Sequence, residues 1–244
     1  MITEQDIKQA TAYINGVDIY DVGALVQSFK VSGTAVSNKA YQGKDSTHFN
    51  VLASLRSMRT ISLTLFYEGK TKRELALKKA KIDNAISAGQ IELYLPDGFY
   101  YDAYLTKIGD EQPLGVEGEQ MIALSTYQLQ GIRRDGLETL TVTSGASFEC
   151  KSLIPQTDVR ISYKATQAYA SITIGGVTIT NVANNDVLTI DGINKRILQN
   201  GAPCSGNMSF ISFPKLAPGS NTVVCKSGTT TLTISLTVEY YPTY

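Results

Sequence analysis

The sequence predicts a mainly β protein in two parts: an N-terminal β-sandwich-like domain with one flanking α-helix, then a second β-sandwich. Three observations carry this. Apolar residues recur mostly at every second position, the period of half-buried strands. Only one segment of the first half shows a helical stripe between start and stop signals. After Arg133-Arg134-Asp135-Gly136 the chain turns rich in Thr, Ser, Val and Ile, with turn residues about every ten positions. The 244 residues suffice for two domains, each with its own core. The expected division is 1–140 and 141–244.

In chain order, AYINGVDI (12–19) places Asn15-Gly16 between apolar flanks, a hairpin signal. TISLTLFY (60–67) alternates Ile61, Leu63 and Leu65 with Ser62 and Thr64. The helix follows: Thr71 to Glu74 reads T-x-x-E, a capping box, and Gly89 stands where a C-terminal cap belongs. Leu75, Ile82 and Ile86 form its stripe, with Arg73, Lys81 and Asn84 well off it; Lys79 falls near the stripe and spoils it. IELYLPDGFYYDAYL (91–105) is two strands around Pro96-Asp97-Gly98, and MIALSTYQLQGI (121–132) is a long strand. In the second part SITIGGVTIT (171–180) is a hairpin around Gly175-Gly176. LTIDGINKRILQNG (188–201) is strand, turn, strand, turn, with Asp191-Gly192 and Asn200-Gly201 reversing the chain at positive φ. TTTLTISLTVEYY (229–241) is a long alternating final strand.

Composition narrows the function. The 22 basic and 22 acidic residues cancel, so no field draws nucleic acid or an anionic membrane. MITEQDIKQA does not read as a signal peptide, and no apolar run reaches the roughly 20 residues of a membrane span, so a soluble chain made inside a cell is expected. Cys150, Cys204 and Cys225 are too scattered for a disulfide framework or a zinc site, and are expected as buried apolar side chains in a reducing compartment. His48 is the one histidine, and no nucleophile elbow accompanies it. Gly43-Lys44 fails as a phosphate loop because position 38 is Asn38. Asp110, Glu111, Glu117 and Glu119 have no spacing of a calcium loop and read as a solvated loop between strands. Asn207-Met208-Ser209 fits a glycosylation sequon that a chain made inside the cell does not expose to that machinery. There is no Trp, and the tyrosine groups Tyr100, Tyr101, Tyr104 and Tyr240, Tyr241, Tyr244 read as cross-strand partners sooner than sugar platforms. No catalytic residue, cofactor or metal is expected.

TIDGINKRILQNG followed by ISFPKLAPGSNTV (211–223) resembles the C-terminal domain of the siphophage distal tail protein family. YINGVDI, the YQGKDST segment (41–47), RTISLTLFY, the lone helix, IELYLPDGFYYDAYL and YQLQGIRRD are similar to its N-terminal half. The resemblance implies a galectin-like C-terminal sandwich and a ring-forming N-terminal domain. It further implies a homo-hexameric hub in the virion tail, joining the tail-tube protein to a tail fibre or receptor-binding protein. A tail-tube protein or a carbohydrate-binding adhesion module are the alternatives, and a hydrolase the most distant one. Under this resemblance Asn15, Gly16, Asp191, Gly192, Asn200, Gly201, Pro214, Pro218 and Gly219 are turn devices. Strands 59–67 and 120–130 are the expected ring-facing elements, through Ile61, Leu63, Leu65, Leu124, Tyr127 and Leu129, with the helix (72–88) outside.

Overall fold

The computed structural model describes residues 12–33, 36–42, 49–56, 58–117, 119–204 and 207–244, so His48 and most of YQGKDST lie outside the described residues. The protein is mainly β and divides into two compact units, Met1–Arg133 and Arg134–Tyr244.

In the first unit β1 (Tyr13–Ile14) and β2 (Val17–Asp18) flank Asn15 and Gly16, at φ 51° and 77°. There follow β3 (Ala24–Val31), β4 (Val36–Gln42), β5 (Phe49–Arg56), β6 (Arg59–Gly69), α1 (Lys72–Ile86), β7 (Gln90–Tyr94), β8 (Tyr100–Ile108), β9 (Gln112–Glu117) and β10 (Gln120–Arg134). One antiparallel sheet runs β2-β1-β7-β8-β10-β6-β3, with β9 also on β10, while β4 and β5 pair with each other. Alternation decides its faces. Ile61, Leu63, Leu65 and Tyr67 of β6 and Ala123, Tyr127 and Leu129 of β10 point inward, where Leu75, Ile82 and Ile86 of α1 join the same core. Thr71 caps the helix, its Oγ1 accepting from Glu74 N at 3.2 Å, and Glu74 Oε2 accepts from Lys70 N at 2.9 Å. Lys79, which blemished the apolar stripe, reaches Asp83 Oδ2 at 2.7 Å one turn on.

The second unit contains β11 (Glu138–Thr143), β12 (Ser147–Cys150), β13 (Thr157–Lys164), β14 (Tyr169–Ile174), β15 (Val177–Val182), β16 (Val187–Asp191) and β17 (Arg196–Gln199). It continues through β18 (Ala202–Pro203), β19 (Met208–Ser209), β20 (Lys215–Leu216), β21 (Gly219–Thr222), β22 (Cys225–Ser227), β23 (Thr230–Thr231) and β24 (Ser235–Tyr240). One sheet is ordered β11-β24-β13-β16-β17-β18 and another β19-β15-β14-β22-β23. Val159, Ile161, Ile190 and Val238 from the first and Ile172, Ile174, Ile179 and Cys225 from the second share one core, so the unit is a β-sandwich. Cys150, Cys204 and Cys225 are free and buried. The unit's first and last strands lie side by side: Glu138 is opposite Tyr240, Asp135 N donates to Pro242 O at 2.8 Å, and Tyr244 OH donates to Asp135 Oδ2 at 2.6 Å.

Two expectations change. The final run is two strands: Thr230–Thr231 pairs with β22 in one sheet, and Ser235–Tyr240 lies between β11 and β13 in the other. The alternation is unbroken through the switch, because both halves face the same core. The acidic stretch is not a loop, since β9 occupies 112–117 and pairs with β10. The expected boundary at residue 140 falls inside β11.

Candidate interaction surfaces

Several buried polar groups hold the fold together. Beneath α1, Tyr127 OH donates to Asp83 Oδ1 at 2.7 Å; Tyr67 OH donates to Glu111 Oε2 at 3.0 Å and lies 2.9 Å from Ser125 Oγ. Burial, reinforced for Tyr127 by Asp83, pushes both phenols up, Tyr67 to about 12, so they stay neutral donors. In the second unit Asp191 is 1% exposed and accepts from Asn194 N (3.0 Å), Asn194 Nδ2 (2.8 Å) and Arg196 Nε (3.1 Å). Arg160 Nε lies 3.5 Å from the same carboxylate and its Nη1 3.3 Å from Glu239. Burial alone raises the Asp191 pKa, but these donors outweigh it and hold the group below the usual carboxylate value. Asp186 accepts from Asn200 Nδ2, Gln199 Nε2 and Ala183 N, each at 2.7 Å. Among the described residues no group of three or more His, Cys, Asp or Glu stands ready for a metal ion. No helix there is long and apolar enough to cross a membrane.

The turn residues sit where reversals need them, with one change of reason. Asn200 and Gly201, at φ 54° and 80°, make a two-residue hairpin turn between β17 and β18. Gly219 adopts φ 83°, and Pro214 packs over Gly175. Pro218 precedes β21. Gly192 does not adopt positive φ; the αL residue of its loop is Lys195, at φ 56°. Gly192 is held instead by close approach, because a Cβ there lies 2.7 Å from Val159 O, to which its own N–H donates at 2.9 Å.

The expected ring-facing residues are placed differently. Ile61, Leu63, Leu65, Tyr127 and Leu129 are all 0% exposed in the unit's own core, and side chains so enclosed offer nothing to a second chain. Leu124 lies half-buried on the opposite face of the sheet. Nor do β6 and β10 have free edges, since β6 lies between β10 and β3, and β10 between β8 and β6. Strand alternation marked these residues as facing a surface correctly; it did not say that the surface is covered by α1.

What remains open is elsewhere. The sheet ends at β2 and β3, and β3 pairs on one side only, with β6, among the described residues. β9 carries Leu114 and Val116, 57% and 67% exposed, between Asp110, Glu111 and Glu119. The outer side of α1 carries Leu77, also 57% exposed, with Arg73 and Lys81 one turn before and after. In the second unit Ile211 is fully exposed, beside a Phe210–Phe213 ring contact at 5.1 Å. The signal for β9 was in the sequence, in the alternation of Leu114 and Val116, and was masked by Pro113 and Gly115.

The two β units thus leave strand edges and exposed apolar side chains as their candidate interaction surfaces. Known proteins resemble the chain as follows. Residues 141–244 match the family model of the siphovirus-type tail component, C-terminal domain. The fold is similar to that of the Dit protein of phage SPP1, with TM-score 0.70 over 96% of this chain and 98% of that one. At 11% identity that likeness speaks for the fold. Chains of the phage p2 baseplate in its activated conformation are similar too. One, with strontium, has TM-score 0.56 at 9% identity over 94% of this chain and 97% of its own. Another, with calcium, has TM-score 0.52 at 8% identity over 91% and 92%. No curated protein matches by sequence. The resemblance to distal tail proteins read from the motifs holds, in the match of residues 141–244 to that family model and in the fold.

Proposed function

We propose that the chain is a distal tail hub of a siphovirus-type phage or prophage, a structural virion protein without catalytic activity. Six copies close into a ring through heterologous contacts of the first unit, and the ring joins the tail-tube protein to a fibre or receptor-binding protein. The observation that carries this reading is the likeness, across almost the full length of both chains, to SPP1 Dit, itself described as a paradigm of the hub adsorption apparatus in phages infecting Gram-positive bacteria. A repeated heterologous contact gives a ring where the rotation closes and a filament where it does not. The test is the mass in solution by light scattering, with negative-stain imaging of the main peak. Six times the 26.5 kDa chain is about 159 kDa, and rings of that mass are expected. Long tubes would favour a tail-tube role. A monomer at every concentration overturns unaided ring closure.

A further inference from the structure

The ring reading leaves open which surfaces meet, and the first unit carries two that complement each other. The segment 110–119 has four acidic residues, Asp110, Glu111, Glu117 and Glu119, and no basic one. Within it β9 exposes Leu114 and Val116 on a strand edge that no charged side chain interrupts between Gln112 and Val116. Glu111 is tied to Tyr67, which fixes where β9 starts. The helix α1 has five basic residues, Lys72, Arg73, Lys78, Lys79 and Lys81, against Glu74 and Asp83. Lys79 is paired with Asp83 within the helix, and Lys78 donates to Glu68 O of β6 at 2.8 Å with Glu74 4.0 Å away. Arg73 and Lys81 are exposed, carry no ion pair among the described residues, and bracket exposed Leu77.

Each surface thus has an aliphatic centre and a charged rim, and the rims are of opposite sign. An exposed leucine is unremarkable alone; two aliphatic centres framed by opposite, unpaired charges form a matched pair. We infer that β9 of one copy docks on the outer face of α1 of the next. Leu114 and Val116 meet Leu77, while Asp110 and Glu119 face Lys81 and Arg73. The occupant is a second copy of this chain, because the two surfaces sit on different elements of one unit. Such a contact is heterologous and repeats around a ring. The inference rests on the ring reading and supplies its contact. It moves the interface from the cores of β6 and β10 to an edge strand and a helix face.

Two measurements test it together. Leu77→Cys and Val116→Cys proteins are mixed at high concentration under mild oxidation, with Leu153→Cys replacing the second as a control. A disulfide between positions 77 and 116, located by mass spectrometry and absent from the control, is expected. In parallel, light scattering follows the Arg73→Glu/Lys81→Glu and Asp110→Lys/Glu119→Lys proteins, each checked for folding by circular dichroism. Either reversal alone should weaken association about tenfold or more, and combining all four substitutions should restore it. Association should also weaken as salt rises from about 0.15 to about 1 M, where screening shortens from about 8 to about 3 Å. Rings that form without the disulfide and ignore both reversals overturn this contact and leave the hub reading intact. A monomer at every concentration, with no disulfide, overturns this contact and unaided ring closure alike.

Discussion

At the residue scale, Gly192 shows how one position can be right for an unforeseen reason. The Asp-Gly pair marks a reversal, but the demand on Gly192 comes from the Val159 carbonyl, 33 positions earlier in the chain. Gly192→Ala therefore drives a methyl into a backbone oxygen and should lower the melting temperature by about 5–15 °C, read by calorimetry. An unchanged melting point would show that the β16–β17 loop does not lie against β13. Asp191 makes a second prediction. Its folded pKa is depressed, so its contribution is present above the ordinary carboxylate pKa and is lost as pH falls through the lower folded value. Asp186 is depressed likewise, by Asn200, Gln199 and the Ala183 N–H. The melting temperature should decline from about pH 5 downward, and Asp191→Asn should be less stable at pH 7 and show a shallower decline. Equal slopes for the two proteins would remove Asp191 from the account.

At the scale of elements, α1 was legible because its signals are local. The cap at Thr71 and the stripe Leu75–Ile82–Ile86 lie within one segment, and the helix ends at Ile86 with Ser87 as its C-cap, two residues before the expected stop at Gly89. Thr71→Ala should cost about 1 kcal/mol and lower the melting temperature by a few degrees, while Thr71→Ser should recover most of it. No difference between the two substitutions would mean that the cap bond is not formed in solution. Elements whose identity depends on a partner were not legible in the same way. β9 contains Pro113 and Gly115, which read as loop residues, and pairing with β10 overrides them. The break between β23 and β24 leaves no mark because alternation continues across it. The candidate surface failed for a related reason: periodicity separates two faces of a strand but does not tell a helix-covered face from one that meets another molecule.

At the scale of the whole molecule, the two units have separate cores, one around β6, β10 and α1, the other between two sheets. A fragment spanning residues 134–244 should therefore fold alone and melt in one cooperative transition. A fragment with strand-like far-ultraviolet but no near-ultraviolet circular dichroism would show that the sandwich depends on the rest of the chain. The side-by-side placement of β11 and β24 has a mechanical side as well. Because Glu138 and Tyr240 are direct partners, the polypeptide comes into the sandwich and goes out of it at one corner. Tension applied across those two points loads the β11–β24 ladder one rung at a time, as a zipper is opened. The rungs do not share the load as they would in shear. Pulled from both ends, the sandwich yields first at that corner, whereas a force pressing on its faces meets the packed core.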